Sequence, residues 1–388
     1  MSITKSQPKV YFKNLNAIRF IAASLVIIHH TEQIKNIFHI ENNWGNQGVA
    51  IVGKLGVILF FVLSGFLISY LLFKEKDTIG NIDVKKFYVR RILRIWPLYF
   101  LIVIMAFFIF PFVDALSIPG YESLGSKGNV VEMFLLYIFM MPNIVLTVYG
   151  VVPYASQLWS IGTEEQFYLI WPILNKKINN KWLLMLSVIG IYLIIKIILN
   201  FSPDSSSIEL YRKIWNTVPI DCMAIGGVFA IIAYSQSAMV KKIKSILFNK
   251  ILQWCVLALT IYFLIIGYVL PSPIGFFHYE FYSILFGVLI LNFACNENRI
   301  FSMENSILNF LGRISYGLYM FHSVSIVLAI YLCSTFDQSS NFLLYSIIFS
   351  FTIVIASLSY YLFENRFIKL KTNYSHILSG ANAKQPKL

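Results

Sequence analysis

Along this chain, long apolar runs alternate with short polar connections that are mostly basic. The runs cover about 15–33, 54–73, 96–113, 130–148, 157–174, 182–200, 217–235, 251–270, 275–294, 308–333 and 341–363. Many approach the ~20 residues that carry a helix across a hydrocarbon core of ~30 Å. In lipid every backbone polar group must be paired internally, which a helix does by itself. The pattern predicts an all-α fold, a polytopic membrane helical bundle.

The basic connections orient the bundle. Residues 74–95, NKKINNK at 175–181, KKIKSILFNK at 241–250 and ENRFIKLK from Glu364 all belong on the cytoplasmic side by the positive-inside rule. With eleven crossings the last three would lie outside, and removing one crossing repairs all three. The weakest run is 130–148, which holds Glu132, Pro142 and Asn143, and an interior proline costs a helix ~3 kcal/mol. The expectation is therefore about ten transmembrane helices, a re-entrant or interfacial element near 130–148, and both termini in the cytoplasm. Residues 1–370 form one transmembrane domain and 371–388 a short polar cytoplasmic tail. The first run follows Lys5, Lys9 and Lys13 without a small-residue cleavage site, so it reads as a span.

Composition agrees: of 388 residues 58% are hydrophobic and 13% charged, about half the charged share of soluble domains (~25%). The net charge of +13 sits largely in the short connections; this is topology, and no nucleic-acid partner is expected. Cys222, Cys255, Cys295 and Cys333 are far apart, with no spacing for a metal or a redox pair.

Ionisable residues inside apolar runs are the candidates for chemistry. In LNAIRFIAASLVIIHH, Arg19 and His30 are eleven residues apart, three turns plus about 20°, so they share one helix face about 16.5 Å apart along the axis. An arginine snorkelling to the interface and a histidine satisfied by a neighbour is one reading; a site reached from one side of the membrane is the other. GVILFFVLSGFLISYLL places Ser64 and Gly65 among bulky residues, either for close helix approach or to admit a thin substrate chain. In FYVRRILRIWPLY, Arg90 and Arg94 share a face and Arg91 flanks them, a fork-rich arrangement for phosphates or a membrane anchor. SQLWSIGTEEQFYLIWPIL puts Glu164 and Glu165 near a helix start with Ser160 as a candidate N-cap. Asp221 stands beside Gly226 and Gly227 in PIDCMAIGG, as a cap or a cavity-lining group, and His322 ends the series Arg313, Tyr316, Tyr319 in GRISYGLYMFHS.

In their order these stretches resemble acyltransferase family 3, the multi-pass membrane O-acyltransferases of bacterial surface carbohydrates, over nearly the whole chain. LNAIRFIAASLVIIHH is similar to the family's first-helix pattern, and FFVLSG, RRILR, WSIGTEEQFYLIWP, IDCMAIGG and SYGLYMFH follow as the family has them. The resemblance implies transfer of an acyl group, most often acetyl, from cytoplasmic acetyl-CoA to a hydroxyl of a carbohydrate such as O-antigen, exopolysaccharide or peptidoglycan, without a metal. It implies Arg19 and His30 as the essential pair, with His30 as general base or acyl carrier. Arg90, Arg91 and Arg94 are then the cofactor cluster, with Ser64 and Gly65 beside the pantetheine path and Glu164 as the acid of its motif. Asp221 and His322 are supporting or substrate-orienting groups. Many members carry Asp where this chain has Asn16, which removes a partner for Arg19.

Some members continue into an extracytoplasmic transfer domain, whereas here a short tail follows Arg366, so transfer falls to the membrane domain or to a separate periplasmic partner. The implied setting is the bacterial cytoplasmic (inner) membrane, with membrane lipid around the bundle and an acceptor that is carbohydrate, free or lipid-linked. The rival class is a multi-pass transporter or flippase of a glycan or small solute, for which buried charges are also expected. It predicts symmetry between halves, and none is visible.

Overall fold

A computed structural model describes residues 8–121, 125, 128–336 and 340–380. In chain order the helices are α1 (Leu15–Ile37), α2 (Gln47–Ile79), α3 (Val84–Phe108), α4 (Val130–Ile138), α5 (Pro142–Val148), α6 (Trp159–Lys177), α7 (Lys181–Phe201) and α8 (Ser206–Asn216). They continue as α9 (Ile220–Tyr234), α10 (Ala238–Leu247), α11 (Lys250–Ile266), α12 (His278–Cys295), α13 (Ser306–Arg313), α14 (Ser315–Thr335), α15 (Asn341–Ser359) and α16 (Asn365–Thr372). A parallel pair of two-residue strands, β1 (Lys9–Val10) and β2 (Leu378–Ser379), joins the two ends of the described chain.

Starts and stops follow local chemistry. Asn46, Asp83, Asn129, Asn180, Asn249 and Asn305 each accept a backbone N–H of the helix they precede, satisfying donors a helix start leaves free. Gly80 ends α2 with a φ of 75°, a conformation glycine adopts without a Cβ clash.

Seven segments are long and apolar enough to cross a membrane: Gln47–Ile79, Val84–Phe112, Lys181–Phe201, Ser206–Tyr234, Gly275–Cys295, Ser315–Thr335 and Asn341–Thr372. The pair Ala238–Leu247 and Lys250–Ile266, bent by 61°, makes an eighth. At 23 and 19 residues α1 and α6 are also long enough, about 34 and 28 Å at 1.5 Å per residue. They miss the apolar test because they carry Arg19, His29, His30, Glu164 and Glu165. With these two, ten segments among the described residues have the length of a pass, in a multi-pass membrane protein. The stretch 130–148 folds as α4 and α5, of 9 and 7 residues, broken at Met140 with φ 59°; neither half is long enough to cross.

Contacts between connections support the parity. Lys76 donates to the Asn175 carbonyl at 3.1 Å and to Asn179 at 2.9 Å. Lys181 lies over the rings of Phe73 and Tyr234, and Arg90 reaches the Tyr374 carbonyl at 3.0 Å. The basic connections therefore gather at one end of the bundle. That end also holds the two ends of the described chain through β1 and β2. The segment 371–380, expected within the polar tail, folds back through the last turn of α16 and β2; residues 381–388 lie outside the described residues.

The central helices are α2 and α14, enclosed by their neighbours, while α7 and α15 present mainly outward-facing surface. Helix α2 packs most extensively on α9 and α1, and α14 lies against α1 and α15. The α2–α9 crossing is a glycine contact: a Cβ on Gly65 would sit 1.8 Å from the Met223 carbonyl oxygen, and one on Gly226 2.1 Å from that of Val62.

Candidate active site

Helices α1, α2, α3, α6, α14 and α16 surround a cavity of about 510 Å³ that opens toward the end of the bundle holding β1 and β2. Its polar wall comes from Arg19, Ser64, Arg91, Arg94, Glu164, Tyr168, Arg313, Tyr316, Tyr319, Lys369 and Lys371. Six of the lining groups are cations, and Glu164 is the one carboxylate facing them among the described residues.

Each group is placed by its helix. Arg19 donates to Asn16 Oδ1 at 3.2 Å, one turn earlier on α1, and Asn16 Nδ2 donates to Asn309 Oδ1 at 3.2 Å. Asn309 donates onward to Glu304, which also accepts from the Asn14 backbone and the Tyr11 hydroxyl. Asn16 thus supplies a neutral acceptor to Arg19. Glu164 is held by Ser64 Oγ at 3.0 Å and by the Tyr168 hydroxyl at 2.9 Å, which gives Ser64 a defined task. Glu165, the next residue round α6, accepts from the Trp96 indole at 2.9 Å and does not line the cavity. Arg91 lies over the rings of Phe87 and Tyr168, whereas the Arg94 guanidinium and the Lys371 ammonium make no hydrogen bond or ion pair among the described residues.

The other candidates separate. Arg90 does not line the main cavity: it pairs with Glu75 at 2.8 Å and tethers the Tyr374 carbonyl, beside a small neighbouring void. Gly65 faces α9 at the crossing described above, so the space it leaves is filled by the Met223 backbone. Ser160 does not cap α6, which begins at Trp159; its hydroxyl meets the Tyr319 hydroxyl at 2.7 Å and the Gln157 carbonyl at 3.3 Å. Asp221 is fully buried at the start of α9, near the Lys196–Glu280 ion pair of 2.6 Å and away from the cavity.

His30 and His322 come together. His322 Nε2 lies 3.0 Å from His30 Nδ1, and His322 Nδ1 lies 2.7 Å from the Tyr319 carbonyl oxygen. Tyr319 lines the cavity, so His322 is one turn deeper on α14, while His30 itself is partly exposed and outside the lining. His29 points elsewhere: its Nδ1 is 2.9 Å from the Val49 carbonyl oxygen, and its ring packs on Trp44. Among the described residues no three His, Cys, Asp or Glu side chains converge on a metal-binding group.

Two cavity lysines escaped sequence reasoning. Lys369 and Lys371 follow the last span, where a basic pair is indistinguishable from a topology signal; only the fold-back of α16 turns them inward. Tyr168 also went unnamed; its i, i+4 spacing from Glu164 is the signal that points to it.

Comparison with known proteins matches the sequence to a family. The family model described as an acyltransferase domain matches residues 12–361. A putative peptidoglycan O-acetyltransferase of Bacillus subtilis, YrhL, is 26% identical over 93% of this chain and 55% of its own length. The peptidoglycan O-acetyltransferase OatA of Listeria monocytogenes is 27% identical over 50% of this chain and 29% of its own. A putative O-acetyltransferase of Staphylococcus aureus is 25% identical over 94% and 59%. The chain thus spans less than two thirds of the length of these relatives. No solved structure matches. With the family model covering residues 12–361 of its 388, the chain belongs to acyltransferase family 3.

Proposed function

We propose that this protein is an integral membrane O-acyltransferase that moves an acetyl group from cytoplasmic acetyl-CoA to a hydroxyl of a cell-surface carbohydrate. The observation that carries the reading is the charge of the cavity: Arg19, Arg91, Arg94, Arg313, Lys369 and Lys371 against Glu164. Burying like charges without partners is costly, so such a cavity calls for a polyanion. The phosphates of coenzyme A supply one, at the end of the bundle where the basic connections gather. On this reading Arg91, Arg94, Lys369 and Lys371 hold the phosphates, and Arg90 supports them by anchoring the tail. That end is cytoplasmic, and the protein resides in the bacterial cytoplasmic membrane with both termini inside.

The acetyl group then passes toward the other end, where His30 is partly exposed. A neutral imidazole there acts as general base toward the acceptor hydroxyl or carries the acyl group itself. Names of the relatives favour a peptidoglycan sugar over O-antigen as acceptor, either directly or through a separate extracytoplasmic partner. The test is turnover of radiolabelled acetyl-CoA by the purified protein, with surface glycans compared by mass spectrometry in cells with and without it. A His30→Ala variant expressed at normal level loses transfer; retained transfer sinks the assignment. Solute transport without acetyl-CoA turnover would establish the transporter reading instead.

A further inference from the structure

The contacts of His322 define which nitrogen of His30 carries a proton. His322 Nδ1 lies 2.7 Å from the Tyr319 carbonyl oxygen, and a carbonyl only accepts, so Nδ1 bears the hydrogen. In a neutral ring the other nitrogen is then a lone pair. That lone pair, on Nε2, lies 3.0 Å from His30 Nδ1, and two lone pairs facing each other at hydrogen-bond distance would repel. His30 Nδ1 must therefore be the donor, which leaves Nε2 of His30 as the unprotonated nitrogen. The hydrogen bond made by one ring nitrogen sets the state of the other.

The opposite assignment fails at its first link. If His322 Nε2 carried the hydrogen, its Nδ1 lone pair would point at the Tyr319 carbonyl oxygen, with the Leu318 carbonyl alongside. On the His30 side the Val26 carbonyl, one turn back on α1, also lies close to the ring and favours a donor there. The two rings pack with centroids 4.9 Å apart, and His29 lies 4.9 Å beyond His30. His322 is fully buried and His30 less so, so the hydrogen-bonded pair runs outward from His322 to His30.

We propose that His322 is a positioning residue that fixes His30 in the Nδ1–H tautomer, so that Nε2 of His30 is the atom that reacts. This rests on the transferase reading. As general base, His30 Nε2 takes the proton of the acceptor hydroxyl while its oxygen bonds to the thioester carbonyl carbon. The carbon–sulfur bond then breaks, and the departing thiolate takes the proton back from Nε2. Protons and electron pairs balance, with no further reactant. Between the two proton transfers His30 is an imidazolium, and His322 Nε2, accepting from its Nδ1–H, supports that charge without taking the proton.

The tautomer can be read without any turnover. In the purified protein labelled with ¹⁵N-histidine, the His30 and His322 resonances, identified by loss in His30→Ala and His322→Leu, both report a protonated Nδ1 and a bare Nε2. A protonated Nε2 on His30 in the wild type overturns the proposal even if the enzyme is active. Absence of turnover with the predicted tautomer overturns the transferase reading alone. For the role in catalysis, His322→Gln puts an amide oxygen where Nε2 stood and retains most of kcat. His322→Leu removes the acceptor, and kcat falls by about ten- to a hundredfold with KM for acetyl-CoA unchanged. Wild-type kcat in a folded His322→Leu protein, or a folded His322→Gln as inactive as His322→Leu, refutes it.

Discussion

Substituting Gly65 separates two uses of a small residue in a membrane helix. In Gly65→Ala the added Cβ falls 1.8 Å from the Met223 carbonyl oxygen and 2.6 Å from its carbon. An ordinary carbon–oxygen contact is about 3.3 Å, so α2 and α9 must part locally by about 1.5 Å. Both clashing atoms are backbone, so no rotamer change relieves them. Overpacking of this kind costs about 1–3 kcal/mol or more, offset by ~0.5–1 kcal/mol of helix preference for alanine over glycine, for a net loss of about 1–2 kcal/mol. Gly226→Ala acts on the same crossing, its Cβ 2.1 Å from the Val62 oxygen, and needs about 1.2 Å of separation on the same contact distance. Once one substitution has parted the helices, the second needs little more, so the double variant falls short of additivity by about 1–2 kcal/mol. Thermal unfolding in detergent, followed by monodisperse protein remaining after heating at one fixed rate, gives the three shifts. A Gly65→Ala protein that melts with the wild type yet has lost acetyl transfer would refute the packing argument and return Gly65 to the substrate path.

Three further outcomes follow from the geometry. Lys371→Met removes a cavity cation that has no protein anion, so KM for acetyl-CoA rises about ten- to a hundredfold, as expected for one charge-assisted hydrogen bond of about 1.5–3 kcal/mol, with kcat preserved; an unchanged KM removes α16 from the cofactor site. Lys196→Met leaves the buried Glu280 and Asp221 carboxyls without their cation and costs about 3–5 kcal/mol, whereas Asp221→Asn puts an amide donor beside the Glu280 carboxyl that Asp221 faces and leaves melting unchanged or raised, so equal losses in both variants would contradict this. Asp83, which caps α3, is held below the usual carboxylate range chiefly by the Lys86 N–H, with His376 and Lys86 adding their charge. Its stabilisation is complete above the unfolded value of about 3.9 and is lost as pH falls through the lower folded value; Asp83→Asn keeps the cap and loses that pH dependence, and Asp83→Ala also loses about 1 kcal/mol of capping.

Span lengths and loop charge made the bundle legible, because both follow from the membrane and need no partner residue. The same arithmetic picked out 130–148, where Pro142 starts α5 after the break at Met140. The candidate site was legible where a residue acts from its own helix: Arg19, Arg91, Arg94 and Glu164 share one cavity. It was not legible where tertiary pairing decides. Arg90 and Arg94 are both on α3, yet Glu75 is in reach of Arg90 and turns it into a tether. Gly65 sits next to Ser64, but one faces α9 and the other holds Glu164. His30 and His322 are 292 positions apart, and nothing local in either motif announces a 3.0 Å hydrogen bond between them.

The departure at Asn16 shows how one substitution bears on the whole cavity. A carboxylate at that position, as many family members have, would pair directly with Arg19 and cancel one of the six lining cations. Asn16 instead offers an amide oxygen at 3.2 Å and passes the load through its own amide to Asn309 and on to Glu304. The guanidinium is oriented but not neutralised. Its charge is therefore directed into the cavity beside Glu164, the one carboxylate in the lining among the described residues. Arginine and histidine on the α1 stripe are therefore set differently: Arg19 lines the cavity with a charge that Asn16 does not cancel, and His30, three turns further, is held by His322 of α14.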